Sequence, residues 1–231
     1  MNFVTKTINI AIDGPSGSGK STLAKGLASA LGYIYIDTGA LYRAIGLYAA
    51  RHGVSAEHPE DVVPLLPAMD LQMRLEDGGN AVYLDGVRLG EEIRTSTASH
   101  YASQVSKVPE VRAFLLETQQ SIARQNNVIM DGRDIGTVIL PDAQVKLYME
   151  ASPAQRAKRR LAELLAKGEN ITEEQVLADI QKRDANDAGR EIAPAKPAED
   201  AIFLDNSSLT PEETVQAALA IVEKKLRTAC V

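Results

Sequence analysis

Short apolar runs and amphipathic segments alternate along this chain. The apolar runs have the length and β-branching of buried strands in a parallel sheet, and they are Thr7–Asp13, Tyr33–Asp37, Asn127–Asp131, Gln144–Glu150 and Ala201–Asp205. Between them, apolar residues recur at intervals of three and four, which predicts helices near Leu41–Arg51, Val111–Arg124, Ala154–Leu165 and Glu212–Leu226. This alternation indicates a doubly wound α/β fold with a five-stranded parallel sheet flanked by helices.

Two stretches depart from the alternation. Asp70–Leu75 and Ala81–Leu84 alternate apolar and polar residues on either side of Gly78-Gly79-Asn80, which predicts an antiparallel hairpin inserted into the fold. Pro153–Pro197 is dense in charge and helical in pattern. Since no repeat, low-complexity tract or flexible linker divides the sequence, we expect a single domain.

The most specific motif follows the first predicted strand. Gly14 to Ser21 reads Gly-Pro-Ser-Gly-Ser-Gly-Lys-Ser, a phosphate-binding loop of the form G-x-x-x-x-G-K-[ST]. Its glycines let backbone N–H groups point at an anion, and the helix that follows adds its positive dipole end. Lys20 is expected to reach the outer phosphates and the Ser21 hydroxyl to ligate Mg²⁺. A polyphosphate nucleotide is therefore predicted to bind Gly14, Pro15, Ser16, Gly17, Ser18, Gly19, Lys20, Ser21 and Thr22. The loop alone does not identify a reaction.

Composition limits the class of protein. The chain has 231 residues, is 45% hydrophobic and carries a net charge of −6. That charge argues against general binding of a nucleic acid polymer, so any anion site must be built from local arginines. The lone cysteine, Cys230, cannot form an internal disulfide, and a reducing compartment fits. With no long apolar run for a signal peptide or a membrane span, we expect a cytoplasmic protein without a membrane partner.

Charged residues follow two of the predicted strands, at the edge where open α/β folds bind ligands. Arg43 lies on the first turns of the helix after the second strand, where a guanidinium can bind a phosphate bidentately, although an ordinary surface arginine is the alternative. Asp131 ends a buried strand and is the candidate for the Mg²⁺ shell, with Arg133 and Asp134 beside it. The alternative here is a polar turn that closes the strand.

Three arginines lie close together in the charge-dense segment. Arg156 and Arg160 are spaced i,i+4 on one helix face, with Arg159 between them, and like charges at this spacing repel unless an anion neutralises them. The group is either a cap over phosphates or a solvated face with acidic neighbours such as Glu163.

A second charged group lies further along the same segment. The spacing of Arg183, Asp187 and Arg190 places them along one helical stripe, which either faces a ligand or forms internal ion pairs. His52, His58 and His100 show no spacing typical of a catalytic triad or a metal site.

Together these segments resemble the bacterial cytidylate kinases, nucleoside monophosphate kinases that phosphorylate CMP and dCMP. The resemblance runs through almost the whole chain and is carried by Gly14–Thr22, Asp37–Arg43, Glu92–Thr95, Ala102–Ser106, Val111–Arg112, Asp131–Val138 and Arg183–Arg190. Thr38 and Ser21 stand where some relatives carry Ser and Gly, and both keep or add a hydroxyl group. The hairpin insertion resembles the enlarged monophosphate-binding region of this family.

The resemblance implies a fold, a reaction and a division of the chain. The fold would be that of a P-loop nucleoside monophosphate kinase with a helical lid, and the reaction a transfer of the γ-phosphoryl group from ATP, with Mg²⁺, to CMP or dCMP. The single domain, a monomer, would comprise a core of residues 1–38, 107–152 and 191–231, a monophosphate-binding region of residues 39–106 and a lid of residues 153–190.

The resemblance also implies roles for individual residues. Lys20, Arg133 and the lid residue Arg159 would be catalytic, and Ser21 and Asp131 would hold the metal. The residues expected to bind the acceptor are Arg43, Arg133 and Arg190 at its phosphate, Ser103, Arg112 and Asp134 at cytosine, Arg183 and Asp187 at the ribose, and Thr38.

Two other functions compete with this one. A phosphate-loop kinase for a different small acceptor would not need the cytosine-site match at Ser103, Arg112 and Asp134. A nucleotide-gated binding module would need neither a second anion site lined by arginines nor the lid arginines.

Overall fold

The five predicted strands of the sheet and the four predicted helices are present, and further elements lie between them. The computed structural model describes residues 7–76, 79–166 and 168–229, so Cys230 lies outside the described residues. In chain order the strands are β1 (Asn9–Asp13), β2 (Ile34–Asp37), β3 (Leu71–Glu76), β4 (Gly79–Leu84), β5 (Val87–Arg88), β6 (Val128–Gly132), β7 (Val145–Glu150) and β8 (Ile202–Asp205). The α-helices are α1 (Lys20–Leu31), α2 (Thr38–Arg51), α3 (Ser96–Val105), α4 (Pro109–Gln125), α5 (Pro153–Ala166), α6 (Glu173–Ala188) and α7 (Pro211–Ala229). Short 3₁₀ helices span Pro59–Ala68 and Glu91–Arg94, and a π-helical turn spans Ile135–Ile139.

A five-stranded parallel sheet in the order β2-β6-β1-β7-β8 forms the centre, which confirms the predicted sheet. In the register of β2 and β6, Asp37 lies opposite Asp131, and Asp13 of β1 lies opposite Gly132. Because the strands are parallel, their carboxyl ends bring Asp13, Asp37 and Asp131 to one edge of the sheet.

The two faces of the sheet are covered by different helices. Ile10 and Ile12 of β1 pack with Leu23 of α1 and Val222 of α7, whereas Ala11 packs on the opposite face with α4 and the turn at Ile135–Ile139. The alternation of side chains along a strand, with a period of two residues, produces this division. In the described residues no helix is long and apolar enough to cross a membrane.

The insertion after α2 is larger than the predicted hairpin. β3 and β4 pair in antiparallel fashion as expected, but Val87–Arg88 adds a third strand, so the insertion is a three-stranded sheet. The turn between β3 and β4 includes residues 77 and 78, which lie outside the described residues. Leu84 joins the core around α2 and α3, so this sheet supports the helices that line the candidate site.

The charge-dense segment forms two helices with a small core of their own. α5 and α6 contact each other through Ala157, Leu164, Val176 and Ile180. A capping box at Thr172, whose hydroxyl accepts a hydrogen bond from the N–H of Gln175, begins α6. The predicted helical stripe is wrong for Arg190, because α6 ends at Ala188 and Gly189 follows it as the C-cap.

Candidate functional site

One cavity of about 640 Å³ opens at the carboxyl edge of the parallel sheet. Its walls come from the phosphate loop, the ends of β2 and β6, helices α2 to α6, and the start of α7. The expected acceptor residues all line it: Thr38, Arg43, Ser103, Arg112, Arg133, Asp134, Arg183, Asp187 and Arg190. The fold therefore brings together in space residues that are far apart in the sequence.

The phosphate loop forms the floor of the cavity. Gly14 has a φ of 147°, and a Cβ atom there would lie 2.4 Å from the carbonyl oxygen of Met149, so only glycine fits. The loop residues that line the cavity are Ser16, Gly17, Gly19, Lys20, Ser21 and Thr22. Lys20 is buried, and its Nζ donates hydrogen bonds to the Pro15 carbonyl oxygen at 2.6 Å and to Ser18 Oγ at 3.3 Å. Gly14, Pro15 and Ser18 are not among the lining residues, and they contribute instead to the conformation of the loop.

The electrostatics of the floor favour an anion. Burial, followed by the positive charges of Arg133 and Arg183, lowers the pKa of Lys20 well below its usual range, although the nearby carboxylates of Asp131 and Asp13 oppose the shift. Cations that repel one another in a buried place are stabilised by a bound anion. The site can therefore hold a polyphosphate.

Ser21 and Asp131, the two residues expected to hold a metal, contact each other directly. Ser21 Oγ donates a hydrogen bond to Asp131 Oδ2 at 2.7 Å, and Thr38 Oγ1 donates one to the Asp131 carbonyl oxygen at 2.7 Å. Burial and the charge of Asp37 raise the pKa of Asp131. A hydroxyl and a carboxylate are hard oxygen ligands, and Mg²⁺ commonly takes only one or two of these from a protein and the rest from phosphate and water. The residues present fit Mg²⁺.

A cluster of arginines faces the loop across the cavity. Asp187 accepts hydrogen bonds from Arg133 Nε at 2.8 Å and from Arg190 Nη2, while Arg43 Nη2 donates to Asp37 Oδ2 at 2.8 Å. Burial opposes ionisation of Asp187, but Arg133 and Arg190 outweigh it and lower the pKa of this carboxyl group. The acid therefore stays charged and holds two of the arginines in place.

Three arginines that line the cavity each have an N–H donor that makes no hydrogen bond within the described residues. The Nε atoms of Arg43, Arg183 and Arg190 are buried and have no hydrogen-bond partner among the described residues. Burial and the charge of Arg133 also lower the pKa of Arg183 to about 10. Unpaired buried donors with a surplus of positive charge are suited to an oxygen-rich anion. This favours a ligand-facing role over the alternative of a purely internal ion-pair network.

The residues expected to read cytosine all line the same cavity. Arg112 Nη2 donates a hydrogen bond to Asp134 Oδ2, and Arg112 Nη1 donates to the Ser106 carbonyl oxygen at 3.3 Å. Burial raises the pKa of Asp134, whereas the charge of Arg112 opposes the rise. With Ser103 nearby on the cavity wall, the three side chains offer a carboxylate, a guanidinium and a hydroxyl to a flat polar ligand.

The three arginines of the expected lid have separate environments. Arg156 is buried and donates to Asp184 Oδ2 at 2.6 Å and to the Ser16 carbonyl oxygen at 2.9 Å, and it is not among the residues that line the cavity. Both predictions for Arg156, a cap over phosphates and a solvated face, are therefore wrong, because its charge is neutralised inside the protein. Arg159 and Arg160 do line the cavity, and Arg160 pairs with Glu163 at 2.9 Å.

Four residues that line or support the site have no role in the sequence predictions. Asp13 accepts hydrogen bonds from the N–H groups of Ile135 at 2.8 Å and Gly136 at 2.7 Å, which fixes the turn after Asp134. The others are Tyr35, which donates to Asp131, Asp184, which binds Arg156, and Asn206, which accepts from Arg159 and donates to the Ser18 carbonyl oxygen. Asp13 and Asn206 directly end or follow parallel strands, so the rule that places ligands at carboxyl ends could have indicated them.

Comparison with known proteins gives matches over nearly the whole chain. Residues 10–224 match the family model described as cytidylate kinase. A cytidylate kinase from Caldicellulosiruptor bescii is 50% identical over 222 residues, covering 96% of this chain and 98% of that protein. Similar relatives are the cytidylate kinases of Caldanaerobacter subterraneus subsp. tengcongensis, 46% identical over 97% of this chain and 99% of that protein, and of Serratia proteamaculans, 43% identical over 94% and 95%.

Proposed function

The chain belongs to the cytidylate kinase family, and we propose that it transfers the γ-phosphoryl group of ATP to CMP or dCMP, giving CDP or dCDP and ADP. The observation that carries this proposal is that the phosphate loop and the arginine cluster line one cavity. A donor triphosphate on the loop and an acceptor phosphate on the arginines would then lie within the same enclosed space. Holding two reactants in this way removes much of the entropic cost of their encounter.

The donor side is formed by the phosphate loop. Its backbone N–H groups and Lys20 would bind the outer phosphates, and Ser21 and Asp131 would hold Mg²⁺. When bound, the metal would neutralise charge on the β- and γ-phosphates. Lys20 would stabilise the migrating phosphoryl group, because its buried charge interacts most strongly with negative charge that develops nearby.

On the acceptor side the main task is to bring two anions together. Arg43, Arg133 and Arg190 would bind the phosphate of CMP and point one of its oxygens at the γ-phosphate. No general base is needed, because the phosphate of CMP is already ionised near neutral pH. Arg159 would add positive charge from the lid side of the cavity.

Base selection would depend on Asp134. Cytosine presents an amino donor where uracil presents a carbonyl oxygen, so an ionised carboxylate accepts a hydrogen bond from the first and repels the second. Arg112, in contact with Asp134, opposes the effect of burial on its pKa and so favours the ionised form. Arg183 and Asp187 would contact the ribose, and Ser103 and Thr38 complete the acceptor site.

Enclosure of the reactants would protect ATP from hydrolysis by water. The helices of residues 153–190 supply one wall of the cavity and have their own small core, which supports the proposal that they move as a lid. The division into core, monophosphate-binding region and lid, the monomeric state and the cytoplasmic location stay predictions.

The test is ADP release from ATP with CMP, dCMP, UMP, AMP and GMP supplied in turn. We expect rapid release with CMP and dCMP and slow release with the other three nucleotides. Equal or faster release with another acceptor would favour a kinase with a different substrate. ATP binding without turnover on any of them would favour the nucleotide-gated module.

A further inference from the structure

Tyr35 is a buried residue of β2 that contacts one of the proposed metal ligands. It is 6% exposed, and its hydroxyl group donates a hydrogen bond to Asp131 Oδ1 at 3.0 Å. The other oxygen of the same carboxylate, Asp131 Oδ2, accepts a hydrogen bond from Ser21 Oγ at 2.7 Å. Each oxygen of Asp131 therefore has a donor, and the two donors come from different elements of the fold.

The strand register explains how Tyr35 reaches this position. β2 and β6 are parallel, with Tyr35 opposite Ile129 and Asp37 opposite Asp131. Because side chains two residues apart share one face of a sheet, Tyr35, Ile129 and Asp131 all point to the side covered by α1. A tyrosine fills the apolar space beside Ile129 with its ring and still places a hydroxyl group at the level of Asp131. Leucine or phenylalanine would fill the same space without a donor.

We propose that Tyr35 is a positioning residue for the Mg²⁺ site. Its hydroxyl group fixes the rotation of the Asp131 carboxylate and so keeps Asp131 Oδ2 beside Ser21 Oγ. These two oxygen atoms can then bind the same metal ion. Loss of the hydroxyl group leaves a buried carboxylate oxygen without its donor and lets the carboxylate turn. The inference rests on the proposed function, since it takes Ser21 and Asp131 to be the protein ligands of the metal bound with ATP.

The experiment measures ATP binding by calorimetry, once with excess Mg²⁺ and once with EDTA. Wild-type protein is compared with Tyr35→Phe, which removes only the hydroxyl group, and with the matched control Tyr101→Phe. The Tyr101 hydroxyl donates to the Val54 carbonyl oxygen at 3.2 Å, and Tyr101 is not among the residues that line the cavity. Thermal melts first establish a temperature at which all three proteins are folded, and Tyr35→Met serves as a second variant if Tyr35→Phe does not fold.

We expect Mg²⁺ to raise the affinity of the wild type for ATP, and we call the ratio of the affinity with Mg²⁺ to the affinity in EDTA the gain. In Tyr35→Phe the gain should be at least about threefold smaller, with the affinity in EDTA unchanged. Tyr101→Phe should keep the wild-type gain. An unchanged gain in Tyr35→Phe, or equal weakening with and without Mg²⁺, would overturn the inference, the second result because it indicates a merely structural role. If Mg²⁺ has no effect on the wild type, the metal assignment and the inference both fail. Absence of CMP phosphorylation with an intact Mg²⁺ effect would count against the proposed function alone.

Discussion

Asp13 is a buried carboxyl group whose replacement by asparagine should change how stability depends on pH. It is 3% exposed, and its two oxygens accept hydrogen bonds from the N–H groups of Ile135 and Gly136. Burial raises its pKa from 3.8 to about 6, an effect that the two N–H groups and Lys20 oppose and Asp134 reinforces. Burial therefore dominates, and Asp13 binds a proton more tightly in the folded protein than in the unfolded chain.

These pKa values give the direction and the size of the change in unfolding free energy with pH. Between pH 3.8 and about 6 the folded state holds more protons than the unfolded state, so stability falls as pH rises through this window. A shift of about two pKa units at ~1.4 kcal/mol per unit gives about 3 kcal/mol. Asp13→Asn has no group to titrate. Because the unfolded chain is already largely ionised at pH 4, only part of this total falls within the measured range, and the free energy of unfolding of the wild type minus that of Asp13→Asn should decrease by roughly 2 kcal/mol from pH 4 to pH 7.

Urea unfolding followed by circular dichroism, at pH 4, 5, 6 and 7, measures this difference. The slope of free energy against urea concentration should be the same for both proteins, so that the midpoints report stability. A difference that is constant with pH, or that grows as pH rises, would contradict a raised pKa for Asp13. A constant difference would mean that the hydrogen bonds from Ile135 and Gly136 offset burial and keep the pKa of Asp13 near its usual value, and a growing difference would mean that they lower the pKa below it.

Four further predictions concern the reaction. Lys20→Ala should lower kcat at least about 100-fold while circular dichroism shows an unchanged fold, and a drop of only a fewfold would contradict its role at the migrating phosphoryl group. Arg133→Ala should raise KM for CMP and lower kcat together in steady-state assays, since the phosphate loses both grip and alignment; unchanged kinetics would leave Arg133 only its ion pair with Asp187. In Asp134→Asn the ratio of kcat/KM for CMP to that for UMP should shrink at least about tenfold, equivalent to ~1.4 kcal/mol, and a wild-type ratio would exclude Asp134 from reading the base. Limited proteolysis within residues 153–190 should slow when a bisubstrate analogue binds, whereas equal cleavage would argue against a lid.

The parallel sheet could be predicted from the sequence because its central strands, β1 and β6, are buried on both faces and the others are also short apolar runs. Each is a short apolar run that ends in a polar residue, and the observed strands begin one or two residues later than predicted. α3 was not predicted, since only Ala98, Ala102 and Val105 of its ten residues are buried apolar positions and Ser and Thr dominate its start. The two-residue strand Val87–Arg88 is too short for any periodic signal.

The candidate site could be predicted where a local pattern determines it. The phosphate loop has a distinctive sequence, and Asp131 ends a strand at the ligand-binding edge, so the contact between Ser21 and Asp131 matches the expectation. Partners distant in sequence could not be predicted in this way. Arg133 and Asp187 are 54 residues apart, and they meet because the fold brings Asp187 of α6 to the residue that follows β6. Arg156 is likewise buried because a residue distant in sequence, Asp184 of α6, neutralises its charge.

Transfer of label from [γ-³²P]ATP is the most direct test that the protein moves the γ-phosphoryl group of ATP to CMP. Wild-type protein is mixed with labelled ATP, Mg²⁺ and CMP, and the products are separated by chromatography. We expect label to appear in the β-phosphate of CDP in an amount equal to the ADP formed. Label released as inorganic phosphate, or retained in ATP that binds without turnover, would contradict it.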